Sequence, residues 1–177
     1  MNNKRILIAY STTDGFTQKI CQRLCQVIER QNQNVSVMPV GDVQDSDLNS
    51  YGKIVIGASI RYGKHSKEVY DFIKRNKQAL DSKPNAFFSV NVVARKPAKS
   101  RPDTNPYMKK FLKQITWQPK QLAVFAGKIN YQLYSFRDKQ IIRFIMWLTN
   151  GPTDPATNVE FTDWGQVDAF GKVVSGM

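Results

Sequence analysis

Apolar residues along this chain follow two rhythms. Short apolar runs bounded by turn residues read as buried strands, and apolar residues spaced three and four apart read as one face of a helix. On that pattern Arg5–Tyr10, Val35–Val40, Lys53–Ser59, Asn85–Val93 and Gln121–Ala126 are strands. Between them, Ile20, Leu24, Val27 and Ile28 share a helix face, as do Val69, Phe72, Ile73 and Leu80, and then Tyr107, Phe111, Leu112 and Ile115. Asn32–Asn34 ends the first helix, and Pro106 suits the first position of the third. Gly41–Gly52 is polar with a short apolar element near Leu48, and Thr162–Val174 is a closing helix carrying Trp164, Val167, Phe170 and Val174. Strands that alternate with helices form a parallel sheet with right-handed crossovers and helices on both faces. The fold class is therefore α/β, and five such strands match a known doubly wound parallel sheet of order 2-1-3-4-5. In such sheets a ligand sits beyond the carboxyl ends of the strands. Three loops should converge there: Ser11–Thr17 after strand one, Ala58–Lys64 after strand three and Ser89–Arg95 after strand four. Residues 1–177 read as a single domain, without internal repeat, low-complexity tract or linker.

The first of these loops, Ser11-Thr12-Thr13-Asp14-Gly15-Phe16-Thr17, has the makings of an anion site. Backbone N–H groups converge at a helix N-terminus, where the helix dipole adds positive potential. Ser11, Thr12, Thr13 and Thr17 add hydroxyl donors, and Gly15 lets the backbone approach a ligand closely. No lysine or arginine lies between Tyr10 and Gln18, so a phosphate there would be held by neutral donors. An ordinary polar β-turn-α connection is the competing reading. The spacing from Tyr10 through Thr12, Gly15 and Thr17 to Leu24 resembles the FMN-phosphate signature of the flavodoxin family, with Cys21 standing where that family usually has alanine. The Walker Lys-Ser/Thr pair and the G-x-G-x-x-G spacing are absent, which disfavours ATP and dinucleotides.

In a flavodoxin-like fold the other two loops would flank the flavin ring. Ala58, Ser59, Ile60, Arg61, Tyr62 and Gly63 form one wall, in which Ile60 or Tyr62 could pack on the ring and Arg61 could meet an anionic flavin or an acidic substrate. Ser89, Val90, Asn91, Val92, Val93 and Ala94 form the other, with backbone amides and the Asn91 side chain facing the polar ring edge. A buried tyrosine and a surface arginine would explain the first wall equally well. Arg95, Lys96, Lys99 and Arg101 then make a dense cationic run, either a solvated loop or a patch for carboxylates or lipid.

Charge changes the picture most. The net charge is +12, and most of the excess lies between residues 61 and 120. A field of one sign favours an anionic membrane surface, nucleic acid or an acidic small molecule. Nucleic acid is the weakest of these, because no recognition motif accompanies the charge. The single histidine, His65, gives no metal set and no catalytic triad, and reads as a surface residue with proton transfer the lesser alternative. Cys21 and Cys25 sit four apart on a predicted helix, a poor geometry for a bridge, and are expected as reduced thiols. Met-Asn-Asn-Lys-Arg runs straight into the first strand, so no signal peptide is expected and the chain is expected in the cytoplasm.

Gly127–Asn158 interrupts the alternation as an insertion after or within strand five. In it, Ser135–Asn150 reads as a helix whose apolar residues Ile141, Ile142, Phe144, Ile145, Met146 and Leu148 cover a broad arc, with Trp147 and with Arg137, Lys139 and Arg143 nearby. That arc suits a helix lying on an anionic membrane surface or a contact in a homo-oligomer, and a plain core helix competes with both. Three segments carry a narrower resemblance: Val55-Ile56-Gly57-Ala58-Ser59-Ile60-Arg61-Tyr62-Gly63, Ser89-Val90-Asn91-Val92-Val93-Ala94-Arg95-Lys96-Pro97, and Phe161-Thr162-Asp163-Trp164. They resemble the flavodoxin-like, menaquinone-dependent protoporphyrinogen IX dehydrogenase family, over nearly the whole chain. The resemblance implies FMN as cofactor, oxidation of protoporphyrinogen IX to protoporphyrin IX in haem synthesis, electrons passed to menaquinone or another quinone, and a peripheral place on the cytoplasmic side of the cell membrane. The basic balance suits a substrate with two propionates, for which Arg61, Arg95 and Lys96 are candidate partners. The family pattern indicates no catalytic acid or base. A flavodoxin-type electron carrier or another FMN-dependent quinone reductase is the alternative, though a carrier would be expected to be acidic.

Overall fold

Strand β1 (Arg5–Ser11) sends Ile6, Ile8 and Tyr10 to one face of the sheet and Leu7 and Ala9 to the other. That alternation, apolar on both sides, marks a strand covered by helices front and back. The structure is a computed structural model that describes residues 5–177; Met1–Lys4, on which the expectation of no leader falls, lie outside it. Beside β1 run β2 (Asn34–Pro39), β3 (Lys53–Ser59), β4 (Asn85–Val90) and β5 (Gln121–Phe125), all parallel, in the order β2-β1-β3-β4-β5. The expected sheet order is the observed one.

The helices are α1 (Phe16–Glu29), α2 (Lys67–Ser82), α3 (Pro106–Gln114), α4 (Phe136–Leu148) and α5 (Trp164–Gly176). Helices α1 and α5 cover the Ile6 and Ile8 face through Ile20, Leu24, Val167 and Phe170. Helices α2 and α3 cover the Leu7 face through Val69, Phe72 and Phe111. Gly171 lets α5 press on α1, since a Cβ there would lie 2.8 Å from Val27 Cγ1. Arg23 clamps the same pair by donating from Nε and Nη2 to the two Asp168 carboxylate oxygens, at 2.6 Å each.

Between β5 and α5 the chain leaves the sheet. Strands β6 (Lys128–Asn130) and β7 (Asn158–Glu160) pair antiparallel, and α4 packs beside them on a separate small core of Ile129, Tyr131 and Met146. Strands of three residues are too short to announce themselves by alternation, and neither was expected. Helix α4 falls within the expected 135–150: Ser135 Oγ caps its start by accepting from Asp138 N, and Asn150 turns the chain away at φ 53°. Strand four stops at Val90, three residues before its expected end. Asn91 accepts from Ala94 N and draws Val92–Arg95 into a 3-10 turn, which aims this loop across the sheet edge.

Candidate functional site

The register of the sheet sets Ser11 beside Ala58 and Ala58 beside Ser89, so the three predicted loops leave from adjacent strand ends. In the first loop Gly15 adopts φ 82° as the residue before α1, a conformation that costs glycine little. The loop is closed by its own side chains: Gly15 N donates to Thr12 Oγ1 at 3.1 Å, and Phe16 N donates to Asp14 Oδ1 at 3.1 Å. Ser11 Oγ turns away from the loop, donating to Glu68 Oε1 at 2.6 Å beside Ser66 Oγ. Thr17 is fully buried, and its Oγ1 has no hydrogen-bond partner among the described residues. An orphaned buried hydroxyl costs about 1–3 kcal/mol, which a ligand oxygen would relieve. The nearest cation on α1, Lys19, is tied to Glu160 at 2.9 Å.

The β3 loop turns tightly. Arg61 and Lys64 exchange backbone hydrogen bonds of 2.9 and 3.2 Å around Tyr62 (φ 51°) and Gly63 (φ 76°), the left-handed pair that a type I′ turn requires. Ile60 N donates to Val90 O at 3.0 Å and ties this wall to the next. Arg61 Nη2 and Tyr62 Oη both donate to Asp138 of α4, one to each carboxylate oxygen. The Tyr62 hydroxyl holds the Asp138 carboxyl below the usual carboxylate range, against the opposing pull of burial, with Ser135 and Arg61 adding to it.

The β4 wall rests on a buried polar chain. His65 Nε2 and Ser89 Oγ share a hydrogen bond of 3.0 Å, and Asn91 Nδ2 donates to Ser89 Oγ at 3.2 Å. Asn105 Nδ2 donates to Asn91 Oδ1 at 3.1 Å, while Asn105 Oδ1 caps α3 by accepting from Tyr107 N and Met108 N. The Asn91 side chain, expected to face the flavin, is thus spent on holding its loop, and backbone groups remain for a ligand. His65 is buried edge-on to Phe87 and Phe111, with centroids at 5.5 and 4.7 Å, and is no surface residue. Burial pushes its pKa down to about 3, so it is neutral. Arg95 Nη2 donates to the Thr149 carbonyl at 3.0 Å and to Thr149 Oγ1 at 3.1 Å, at the other end of α4.

These walls and α4 enclose one cleft. Asp14, Phe16, Thr17, Ser59, Ile60, Arg61, Tyr62, Gly63, Val90, Asn91, Val92 and Val93 line it, as expected. Ser11 and Thr13 line a neighbouring hollow, Gly15 another, Thr12 is half-buried, and Ala58, Ser89 and Ala94 support the walls from behind. Lys96 lies half-buried beyond the cleft, with no side-chain partner among the described residues. The sequence reading missed Tyr107, Gly127, Lys128 and Tyr134, and did not place Ile141, Ile142, Ile145 and Met146 in the lining. The described residues hold no cluster of His, Cys, Asp or Glu fit for a metal ion.

Fold and loops together define a flavodoxin-type protein. A flavodoxin-domain profile matches residues 7–156. The fold is similar to that of a flavodoxin from the domain Archaea, with TM-score 0.52 and 13% identity over 97% of this chain and 96% of that one. It is also similar to rubredoxin oxygen:oxidoreductase from Desulfovibrio gigas, with TM-score 0.55 and 10% identity over 98% of this chain and 35% of that one. Closer relatives narrow the class. Protoporphyrinogen IX dehydrogenase (quinone) of Escherichia coli K12 is 39% identical over 171 residues, covering 97% of this chain and 94% of that protein. The protein of the same name in Leishmania major is 40% identical over 167 residues, covering 94% and 72%. The chain belongs to the protoporphyrinogen IX dehydrogenase (quinone) family.

The flavodoxin domain points to FMN, and the donor set fits it. The Thr17 hydroxyl is buried and unpaired at a helix N-terminus, a place suited to an anion, and the loop carries no lysine or arginine. A Thr17→Val variant keeps the shape and removes the hydroxyl. A hydrogen bond to a charged group contributes about 1.5–3 kcal/mol, so FMN should bind about 10- to 100-fold more weakly. Apoprotein stability, read from urea unfolding, should hold or rise, because a buried unpaired donor is gone. His65 generates a second prediction. Its pKa is 6.5 unfolded and about 3 in the fold, so between those values only the unfolded chain takes the proton. Stability should therefore fall as pH drops below the unfolded value, by up to about 1.4 kcal/mol per pH unit. Urea midpoints of a His65→Gln variant should lose that slope above the carboxylate range.

Proposed function

We propose that this chain oxidises protoporphyrinogen IX stepwise to protoporphyrin IX with FMN as its cofactor, and passes the electrons to menaquinone or a related quinone from the cytoplasmic side of a membrane. FMN, when bound, supplies the acceptance of hydrogen from the macrocycle and its return to the quinone. This chain's residues bind and orient. The Ser11–Thr17 loop holds the phosphate, with Thr17 Oγ1 as its buried donor. The Ile60–Gly63 and Val90–Val93 walls flank the ring, stiffened by the Ile60–Val90 hydrogen bond and the His65–Ser89–Asn91–Asn105 chain.

The observation that carries this reading is the apolar cover on the cleft. Helix α4 contributes Ile141, Ile142, Ile145 and Met146 to the lining, with cations Arg61 and Lys128 at the edges. An apolar cleft with cationic edges suits a greasy macrocycle bearing carboxylates and a quinone that comes from lipid. A carrier that only docks onto protein partners has no use for such a cover. The test is turnover: purified protein should be yellow, and porphyrin fluorescence should develop from the reduced macrocycle only when a quinone is supplied. Fluorescence that never exceeds the air-oxidation background would overturn the reading.

The membrane part rests on the outer face of the same helix. Phe136, Phe144, Trp147 and Leu148 are all more than half exposed, with Leu133 beside them, and the Phe144 and Trp147 rings stack at 6.1 Å. No helix among the described residues is long and apolar enough to cross a membrane. Exposed aromatics on a helix flanked by Arg137 and Lys139, in a chain of net charge +12, suit peripheral binding to anionic lipid. A Phe144→Asp/Trp147→Asp double variant should bind anionic vesicles at least about tenfold more weakly, each buried aromatic being worth about 1.5–3 kcal/mol, with FMN content unchanged. Unaltered vesicle binding, or conversion of an oligomer to a monomer, would assign the face to a partner subunit instead.

A further inference from the structure

We propose that the Arg61 guanidinium and the Tyr62 hydroxyl form a carboxylate site for a substrate propionate, which Asp138 of α4 occupies until the substrate exchanges with it. The inference rests on the porphyrinogen reading for the identity of the incoming acid.

Two donors from adjacent residues of one tight turn meet the two oxygens of one carboxylate, Nη2 on Oδ2 and Oη on Oδ1. Nothing in that arrangement depends on the carboxylate being carried by aspartate; it recognises the charged group by geometry and charge. The pair is also open to the outside where its present partner is not. The Arg61 side chain is 40% exposed and the Asp138 side chain 8%, and Tyr62 is 56% exposed. An incoming carboxylate can therefore engage other N–H groups of Arg61 before the aspartate has left, and take the single Tyr62 O–H as it leaves.

The position is right for a substrate anchor. Arg61 and Tyr62 line the same cleft as the inner face of α4, so an acid held there has its body among Ile141, Ile142 and Ile145. With α4 seated, the partly open cleft measures about 140 Å³. Pockets for ligands of drug size begin at about 300 Å³, so a flavin ring and a macrocycle share it only when its cover gives way. The holds on α4 are weighted to its second half: Met146 is buried with Ile142 and Ile145 packed beside it, Arg143 Nε donates to Thr153 O at 2.7 Å, and Arg95 tethers Thr149, whereas Asp138 is the buried residue of the first turn. Trading one carboxylate for another at Arg61 would free the first turn of α4 while the tether at Thr149 stays. The exchange makes the substrate's own charge the release signal, and a neutral ester would lack it.

The test uses the FMN-loaded protein and two probes, protoporphyrin IX and its dimethyl ester, titrated by fluorescence quenching. Wild type should prefer the diacid. Asp138→Asn should tighten binding of diacid and ester alike by about tenfold, because less of the protein is locked by its own carboxylate, and keep the preference for the diacid, which rests on Arg61 and Tyr62. Tyr62→Phe, at an exposed position where folding is not at stake, should erode the preference. Equal affinity of wild type for diacid and ester, or an Asp138→Asn variant with normal FMN content and unchanged or weakened diacid binding, would overturn the proposal. Quinone-dependent turnover by wild type alongside either of those results would leave the enzyme reading standing and sink only this inference. No turnover and no porphyrin binding at all would sink both.

Discussion

Hydrogen-bonded register across parallel strands is the constraint on which the site depends. Ser11, Ala58, Ser89 and Val124 stand in one row across β1, β3, β4 and β5, so the chain leaves three neighbouring strands at the same height. Parallel strands need crossovers, and the crossovers bring helix N-termini back to that same edge. The Ser11–Thr17 loop and the loops after β3 and β4 therefore meet at one edge as a consequence of that register. Only two further backbone bonds are needed to steady them, Ile60 N to Val90 O and Asn91 N to Phe125 O, each 3.0 Å.

Steadiness at the β4 wall comes from polar groups placed in the core. His65, Ser89, Asn91 and Asn105 are all buried, and each would be destabilising there alone. Linked from histidine to helix cap, they satisfy one another, and the low dielectric that would penalise an unpaired member strengthens the chain. The histidine has to stay neutral for this, which Phe87 and Phe111 enforce by excluding water. The outcome is a wall that presents backbone groups in a set direction, where a loop of free side chains would have to be ordered by the ligand.

What could be read from the chain alone follows the range of each interaction. The succession of strands and helices rests on local patterns and was legible in the two rhythms of apolar residues, as was the Gly15 turn that opens α1 in the Thr12, Gly15 and Thr17 spacing; strand order came from matching that succession to a known sheet. The wall loops were legible by position, because ligands gather at strand ends. Partners were not. Arg61 meets Asp138 from 77 residues away, and no neighbour of either residue signals the pairing. His65 looks like a loop histidine until Phe111, brought by α3, closes over it. The broad apolar arc of α4 announced a helix with too much apolar surface for one packing face. Which residues turn inward is decided by Ile129 and Tyr131, which lie on the chain before it, and by Val92 of the β4 loop, and a helical wheel contains none of them.

Placement of cations separates the two ends of the site. The Ser11–Thr17 loop has none of its own, and Lys19, the first on α1, is paired with Glu160. A buried, unpaired hydroxyl and a helix terminus stand there instead, groups suited to an anion by geometry. Arginine and lysine appear instead at the mouth: Arg61 and Lys128 in the lining, Arg95 at the α4 tether and Lys96 beyond it. A cation in that loop would compete for any acidic molecule approaching the cleft. With no cation in the first loop, the positive potential lies at the edge where α4 meets the β3 loop, and Asp138 is the carboxylate that this potential already holds.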